Sequence, residues 1–476
     1  MKKDLNLISW YNFNQNCEML YLCDEENEIY NYLKCKYKNV DNQIKNKLYD
    51  YIIIIENHIK EDVLTEMSKH LKETGTLLLG FNNEFGISKF VSYNCSNRMS
   101  PLDIANKDAL SKETIKEILD KQGFKYTNMY MLFPNLERID MILTERIDDI
   151  PNKLDKYFVL YEDEMTILTN EIKLLRKISE YNKDLFLNLS NSYLLEISKV
   201  PLKEDIKYVS FNNYRKREYQ LTTIIKDDIV EKRPTAKEAE QNINRIGKNL
   251  EYLRQYDIEV LDRFDNGTLS SKFIKNEKTL DIVLALHYDD ETFIINKLNE
   301  IRQILLKNSV SFNIEDKNEY NEILRNQSND ILQKFNYLQY AFYDMVPKNC
   351  FYMNGKYFFF DQEWMEKYLP VEFIIYRCVI NSYDLVKQIN VDEILKKIGL
   401  IEYKTLFETI DNNLRRRILD EERFNTLNKK YKKMYEVIYE KEVLEMQNRE
   451  YRQNDIKQNE YIKHLEGIIE MKKKEE

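Results

Sequence analysis

One run, residues 343–364, constrains the fold of this chain more than any other stretch of the sequence. At its centre, Asn354-Gly355 is the dipeptide most typical of a two-residue β-hairpin turn. Apolar and aromatic residues at 350–352 and 357–360 flank the turn and predict the two strands of the hairpin. The residues just before the first strand and just after the second are therefore expected to meet at one edge.

Three polar residues occupy those two positions. Asp344 and Asn349 precede the hairpin, and Asp361 follows it. A phosphotransferase needs such groups: one carboxylate accepts the proton of the acceptor hydroxyl, while an amide and a second carboxylate hold Mg²⁺ on the phosphates of ATP. We therefore predict Asp344 as the catalytic residue and Asn349 and Asp361 as metal ligands. An ordinary hairpin with three surface polar residues would have the same spacing.

The five-residue step from Asp344 to Asn349, with a hairpin leading to a second Asp, resembles the catalytic loop and metal-binding Asp of protein kinase-like phosphotransferases. It is most similar to small-molecule and sugar kinases whose second motif is Asp-x-Glu, as in residues 361–363. The resemblance implies ATP and Mg²⁺ as cofactors. The chain departs from the protein-kinase pattern because no His or Arg stands next to Asp344 and no glycine-rich loop is evident.

The sequence before this run predicts the smaller lobe of such a kinase. Strands are expected at 207–211, 219–225 and 229–232, and a long helix from 235 to about 255. This strand–turn–strand–helix order is that of a kinase small lobe. Lys232 then stands where the resemblance places the lysine that neutralises the α and β phosphates.

An acidic residue on the following helix would fix the position of that lysine. Glu238 and Glu240 are the candidates, and we predict Glu238, with Lys232, as part of the cofactor site. The alternatives are structural. Residues 235–238 also form a capping-box pattern, which needs no ATP, and Lys232 would then be a solvent-facing strand residue.

Three further features belong to the same region. Residues 271–280 resemble the strand and hinge that link the two lobes, where the backbone would meet the adenine edge. A long helix is expected over 321–342, leading into the catalytic loop. Glu363 is expected to pair with Arg377 in a structural role, with orientation of the metal-binding Asp as the alternative. Trp364 is expected in the core.

Residues 1–200 alternate strand and helix, which predicts a doubly wound α/β sheet. Strands are expected at 20–23, 49–55, 76–81, 126–133 and 140–143, and helices at 61–73 and 112–122. The second helix should end at Gly123, because glycine is the preferred residue just past a helix.

Four segments of this region resemble a class I S-adenosylmethionine methyltransferase, a Rossmann-like fold: 9–13, 49–57, 71–90 and 110–124. They are most similar to the methyltransferase-like domains encoded with bacterial surface-polysaccharide genes. Such enzymes hold the methionine part of the cofactor against a glycine-rich turn after the first strand, where only glycine allows so close an approach.

That turn is missing here. Residues 19–27 contain no glycine, and the first glycine of the chain is Gly75. Only 27 residues separate Leu22 from Tyr49, which is too few for a helix, a strand and a second helix, so one unit is shortened or lost. We predict a degenerate methyltransferase-like domain that keeps the fold and does not bind S-adenosylmethionine. The alternative is a weakly bound cofactor held by side chains.

Residues 419–476 contain no proline and are dense in Lys and Glu, which predicts a C-terminal helix. Apolar residues with three-then-four spacing form a first seam: Phe424, Leu427, Tyr431, Met434 and Ile438. A second register, offset by one residue, is more polar: Leu444, Gln447, Tyr451, Asn454, Gln458, Tyr461, Leu465 and Ile468. The pattern predicts a coiled coil that makes the protein a homo-oligomer. A single exposed helix is the alternative.

Composition excludes several other classes of protein. The net charge of −9, with Lys and Arg interspersed among Asp and Glu, argues against nucleic acid as a partner. The six cysteines show no CxxC spacing, which favours reduced thiols. The N-terminus lacks the apolar core of a signal peptide, and no run approaches the ~20 apolar residues of a membrane span. A cytoplasmic protein is expected, with peripheral membrane contact through residues 468–474 as a weaker alternative.

The order of the three parts resembles the bifunctional methyltransferase–kinase family that caps O-antigen polysaccharide. We place the methyltransferase-like domain at 1–200, the kinase-like domain at 203–418 and the coiled coil at 419–476. The resemblance implies phosphorylation of a sugar hydroxyl on a surface glycan, with nucleotide and glycan as partners and a glycosyltransferase as a further one. The alternative is a non-catalytic scaffold whose coiled coil recruits glycosyltransferases.

Overall fold

The computed structural model describes residues 4–23, 25–94, 110–147, 154, 165–203, 205–256, 258–275, 277–427 and 434–475. The strands of the first 200 residues are β1 Glu18–Leu22, β2 Asn39–Asp41, β3 Tyr49–Ile55, β4 Leu71–Asn82, β5 Ser92–Asn94, β6 Tyr126–Asn135, β7 Arg138–Thr144, β8 Met165–Ile167 and β9 Ser192–Ser198. The helices are α1 Glu28–Lys36, α2 Glu61–Lys69, α3 Ser88–Val91, α4 Lys112–Lys121, α5 Glu171–Tyr181 and α6 Lys183–Asn188.

Strand β3 is the centre of this part and has the predicted bounds. Its last four residues are isoleucines without exposed surface. Ile52 and Ile54 belong to the core on one face of the sheet, which α2 and α4 cover, and Ile53 and Ile55 to the core on the other face, which α1 covers. A continuous apolar run is typical of a strand that is covered on both faces.

Two other local predictions had different outcomes. Helix α4 ends as predicted, because Gly123 follows its C-cap with a φ of +91°. The helix predicted over 61–73 is too long, since α2 ends at Lys69 and β4 begins at Leu71. Leu71 pairs with Tyr49 of β3, so residues 71–73, which the local pattern predicts as helix, belong to a strand of the sheet.

The rest of the chain forms a second set of elements. Its strands are β10 Ile206–Phe211, β11 Leu221–Lys226, β12 Ile229–Pro234, β13 Glu259–Val260, β14 Arg263–Asp265, β15 Thr268–Lys272, β16 Val310–Ser311, β17 Asn336–Phe342, β18 Cys350–Met353, β19 Lys356–Phe359 and β20 Met365–Pro370. Its helices are α7 Glu240–Leu253, α8 Leu280–Leu286, α9 Glu291–Leu306, α10 Glu322–Arg325, α11 Asn329–Leu332, α12 Val371–Ile380, α13 Tyr383–Val386, α14 Val391–Lys397, α15 Lys404–Ile418, α16 Glu421–Leu427 and α17 Met434–Glu475.

Both sets contribute to a single large sheet. Within the described residues it has twelve strands in the order β14-β15-β12-β11-β10-β7-β6-β9-β4-β3-β1-β2. Strands β2, β1, β3 and β4 are parallel to one another, and the other pairs are antiparallel. The junction is the pairing of β7 with β10, in which Leu143 lies opposite Tyr208. Backbone hydrogen bonds therefore join the strands of the predicted methyltransferase-like part to those of the predicted small lobe.

One strand–helix unit of the N-terminal part is shortened, as the short spacing predicts. Between β1 and β3 the described residues contain only α1 and the three-residue β2, which pairs with β1 at the edge of the sheet. The predicted order of the small lobe is also present. Strands β10, β11 and β12 are followed by a long helix, α7, and then by β14 and β15.

The helix predicted over 321–342 is wrong. This stretch contains two short helices, α10 and α11, followed by strand β17. Strand β17 pairs with β20, whose residues lie about 30 positions further along the chain. Tyr and Phe residues favour such a strand over a helix. The spacing of residues within 321–342 contains no information about the partner strand.

The C-terminal helix α17 has 42 residues, which gives a length of about 63 Å. Leu444 and Tyr451 of the second predicted register are 58% and 72% exposed. Tyr431 of the first seam, and the side chains of Leu427, Met434 and Ile438, lie outside the described residues. A coiled coil needs a second chain, so the assembly stays a prediction. None of the described helices is long and apolar enough to cross a membrane.

Candidate active site

The predicted hairpin is present. Strands β18 and β19 pair antiparallel, with Met353 opposite Lys356. Asn354 and Gly355 both have positive φ, 52° and 77°. This conformation is the one a type I′ turn requires, and it explains why Asn-Gly stands at the turn.

The register of the hairpin brings Asn349 beside Asp361. Cys350 pairs with Phe359, and the next residue, Phe360, donates its backbone N–H to the carbonyl of Asn349 at 3.0 Å. Asn349 therefore lies opposite Phe360 and next to Asp361. The backbone of Asp361 is in the left-handed region, with φ +61°, where the chain turns away from the hairpin.

A second pairing brings Asp344 to the same place. Strands β17 and β20 place Phe342 opposite Met365, and Tyr343 N–H donates to the carbonyl of Trp364 at 3.3 Å. The side-chain amides of Asn349 and Gln362 each donate to the carbonyl of Asp344 at 3.1 Å. The loop of Asp344 therefore runs beside the segment that carries Asp361.

The Asp344 carboxylate lies 3.5 Å from the guanidinium of Arg377. Arg377 also contacts the carboxylate of Asp411 and donates to the carbonyl of Tyr343 at 2.7 Å. It therefore fixes the backbone of the Asp344 loop as well as pairing with the Asp344 carboxylate. Burial raises the pKa of Asp344 to about 6, although Arg377 acts in the opposite direction. A carboxylate with this pKa is ionised at pH 7 and accepts a proton more readily than an exposed one, as a general base requires.

Lys232 faces this group from β12, the strand between β11 and β15. Its ammonium group contacts the carboxylates of both Asp361 and Glu363. Burial would lower the pKa of Lys232, but the two carboxylates hold it above its usual range. The lysine is therefore a fixed cation beside the predicted metal ligand.

Glu363 is the most buried charge of the site. Its side chain is 2% exposed, and it accepts a hydrogen bond from Arg215 at 2.6 Å in addition to the contact with Lys232. Burial would raise the pKa of Glu363, but Arg215 and Lys232 hold it well below its usual range. The predicted pairing of Glu363 with Arg377 is wrong, because Arg377 pairs with Asp344 and Asp411 instead.

Glu238 does not reach Lys232. It lies in a short 3-10 turn, Lys237–Ala239, and its half-exposed side chain is 3.5 Å from Arg217. Neither does the alternative capping box form, since Ala236 is the N-cap and makes no side-chain hydrogen bond. The acidic partner of Lys232 comes from the Asp-x-Glu segment and not from the helix that follows the strand.

Sequence reasoning also missed Asp262. Its side chain is buried and accepts the backbone N–H of Gln362 at 2.9 Å, which fixes the turn just after Asp361. Burial raises the pKa of Asp262 to about 6. Nothing in the local pattern marks this residue, whereas Glu363 could have been found from its place two residues after a candidate metal ligand.

The donor set fits one kind of metal site. No three His, Cys, Asp or Glu side chains of the described residues come together as a metal-binding cluster. Mg²⁺ is usually held by one or two carboxylates together with substrate phosphates, not by a complete protein cage. The carboxylate of Asp361 and the amide oxygen of Asn349 fit that pattern, because the Asn349 amide nitrogen is already used by Asp344.

The predicted hinge is the connection between β15 and α8. Phe273 N–H donates to the carbonyl of Asp228 at 2.9 Å, and Thr279 forms an isolated antiparallel bridge with Phe351 of the hairpin. Asn276 lies outside the described residues. The connection therefore contacts the hairpin that carries the site, while its contact with adenine stays a prediction.

Comparisons with solved structures return proteins of two classes. One is a methyltransferase dependent on S-adenosylmethionine, a possible histamine N-methyltransferase, from Thermotoga maritima; it is 11% identical over 41% of this chain and 87% of that chain, with a TM-score of 0.22. Choline kinase from Streptococcus pneumoniae is 14% identical over 44% and 89%, with a TM-score of 0.24. An ADP-bound aminoglycoside phosphotransferase is 14% identical over 44% and 87%, with a TM-score of 0.22.

These similar structures include both classes that the sequence resembles. No model of a protein family matches the chain, and no curated protein sequence matches it.

Proposed function

We propose that the chain is a kinase that uses ATP and Mg²⁺ to phosphorylate a sugar hydroxyl of a surface glycan. The observation that supports this most strongly is the arrangement around Lys232. Lys232, a buried cation on strand β12, contacts Asp361 and Glu363, and Asp344 lies on the adjoining loop. Lys232 comes from a position 131 residues before Glu363, and its place beside Asp361, Glu363 and Asp344 supports a site for phosphoryl transfer.

Each residue has one task in this proposal. Asp344 accepts the proton of the attacking hydroxyl while the hydroxyl oxygen bonds to the γ-phosphorus of ATP and the bond from that phosphorus to the oxygen of the leaving ADP breaks. Lys232 neutralises the phosphate oxygens of the nucleotide, and Glu363 keeps the lysine in place. Asp361 and Asn349 hold Mg²⁺, which supplies charge neutralisation on the phosphates. The glycan acceptor comes from the resemblance to the O-antigen capping family.

Nucleotide binding is the direct test. A ligand that binds the folded state raises the melting temperature, so ATP is expected to do so only when Mg²⁺ is present. Asp361→Ala should abolish this shift. Asp344→Ala should retain it, because Asp344 acts on the acceptor and not on the nucleotide. A shift that is independent of the metal, or none at millimolar ATP, would contradict the kinase.

The second candidate is a non-catalytic scaffold that recruits glycosyltransferases. The exposed apolar side chains along α17 favour it, because surfaces of this kind usually contact a partner. The thermal-shift experiment separates the two, since a scaffold has no need of Mg²⁺-dependent nucleotide binding.

S-adenosylmethionine is not expected to bind the N-terminal part. Cys23, Glu25 and Asn27 stand where close-approach glycines are needed, and the side chain of Asn27 is used to cap α1, where it accepts the N–H of Tyr30 at 3.1 Å. Glu25 adds negative charge near the position of the cofactor's carboxylate. Isothermal titration should detect no heat of binding, and micromolar affinity would contradict this prediction.

The C-terminal helix is expected to make the protein a dimer or trimer. Full-length protein at tens of micromolar should be oligomeric by light scattering, and a chain truncated after about residue 420 should be monomeric. Charge inserted in the predicted seam, as in Leu444→Glu, should weaken the oligomer, whereas Met446→Glu, outside the seam, should not. A full-length monomer, or an oligomer that survives truncation, would rule out the coil as the oligomerising element.

A further inference from the structure

The loop between β10 and β11 is held by residues 418–420, which follow α15. Lys216 N–H donates to the carbonyl of Ile418 at 2.9 Å, and Asp420 N–H donates to the carbonyl of Tyr214 at 3.1 Å. Between these two bonds, Arg215 and Leu419 form an isolated antiparallel bridge. The residues that link α15 to α16 therefore fix the backbone on both sides of Arg215.

The same loop joins the first two strands of the predicted small lobe. From this loop the guanidinium of Arg215 donates to Glu363 at 2.6 Å. The Arg215 side chain is 14% exposed and lies 5.3 Å from the ring centre of Trp364. Arg215 is thus packed into the site and does not extend into solvent.

Glu363 shares its charge between Arg215 and Lys232. A buried carboxylate that loses one of two cations relies more strongly on the other. If Arg215 moved away, Glu363 would hold the ammonium group of Lys232 more tightly. The positive charge of Lys232 would then be less available to the phosphate oxygens of a nucleotide. The position of Arg215 therefore affects whether the ammonium group of Lys232 contacts Glu363 or the phosphate oxygens bound beside Asp361.

We propose that residues 418–420 make Arg215 the positioning residue of the Lys232–Glu363 pair, so that the start of the C-terminal helical region sets the cation arrangement of the phosphate site. The role at a phosphate site rests on the proposed function. The chain of contacts from residues 418–420 through Arg215 to Glu363 does not depend on that function. It can be measured without nucleotide.

Two substitutions at Asp420 isolate this link in the full-length chain. Asp420→Pro removes the N–H that bonds Tyr214, whereas Asp420→Ala keeps it; both lose the carboxylate that accepts Arg423 N–H at the start of α16. Proline is tolerated here because Leu419 is extended, with φ −75° and ψ 141°. The two variants therefore differ in the N–H that bonds Tyr214 and in the proline ring, which fixes φ at this position.

Hydrogen exchange read by mass spectrometry provides the first measurement. Peptides covering 212–220 and 361–364 should exchange faster in Asp420→Pro than in Asp420→Ala, by roughly fivefold or more. Peptides of β3 should exchange equally in both and serve as the internal control. Equal exchange of 361–364 in the two variants would overturn the proposal.

Substitution of Arg215 provides the second measurement. Arg215→Met should weaken the binding of ATP with Mg²⁺ by about tenfold, and Arg215→Lys should restore most of it, which a purely structural role would not predict. Equal binding by the Met variant and the natural chain would overturn the proposal. If the natural chain binds no nucleotide, the proposed kinase function fails, and the exchange measurement alone decides whether the link exists.

Discussion

Replacing Asp344 by Asn is expected to lower phosphoryl transfer by about 10²–10⁴-fold, the usual contribution of a general base. Asparagine keeps the shape of the side chain but cannot take the proton of the acceptor. Binding of ATP with Mg²⁺ should persist, because Asp344 is not among the predicted nucleotide or metal ligands. Transfer of labelled γ-phosphate to a surface-glycan acceptor measures the loss, with the exposed Asp289→Asn as control. Undiminished transfer would show that another group acts as base.

The same variant should also be more stable at neutral pH. The pKa of Asp344 is raised to about 6 by burial, from 3.8. A group with a raised pKa contributes stability below its unfolded pKa, and that contribution is lost as the pH rises through the folded pKa. At pH 7.5 the ionised carboxylate should therefore cost about 1–3 kcal/mol, which Asn removes. Melting curves should differ at pH 7.5 and converge near pH 4; a destabilised Asn variant at pH 7.5 would contradict this.

Replacing Glu363 by Gln is expected to cause the largest loss of stability, about 3 kcal/mol or more. Removing one partner of a buried ion pair leaves the other charge without compensation, and here Arg215 loses the Glu363 carboxylate while Lys232 keeps its contact with Asp361. The matched control is Glu238→Gln, which should change stability by less than about 0.5 kcal/mol because that side chain is half exposed. Urea unfolding of the two variants measures the difference.

Equal effects of the two Glu substitutions would contradict the assignment of Glu363 as the anchor of Lys232. A large effect of Glu238→Gln alone would restore the helix residue as the partner of the lysine. The two outcomes are easily distinguished because the two carboxylates differ so strongly in exposure, 2% against 53%.

Features determined by neighbouring residues were predictable from the sequence. The hairpin of β18 and β19 follows from Asn354-Gly355 and its flanking apolar residues. Strand β3 follows from the apolar run at 51–55, which makes up most of its seven residues. In both cases the information lies within about ten residues, so the local pattern and the folded structure agree.

Features that depend on distant partners were not predictable in this way. The local pattern predicts a helix where strand β17 lies, because the partner strand β20 comes later in the chain. Glu363 reaches Lys232 across 131 positions of sequence. The pairing of β7 with β10 joins the two parts that the sequence analysis predicts as separate domains, the methyltransferase-like and the kinase-like one. Such contacts are set by the packing of whole elements, which residue spacing does not record.

A structure of the full chain with Mg²⁺ and a non-hydrolysable ATP analogue tests the central claim most directly. The proposal predicts the metal at about 2.1 Å from oxygens of Asp361 and Asn349, the ammonium group of Lys232 on the phosphates, and Asp344 facing the terminal phosphate. A nucleotide bound elsewhere, or a site in which Lys232 stays on Asp361 at saturating Mg²⁺ and analogue, would contradict it.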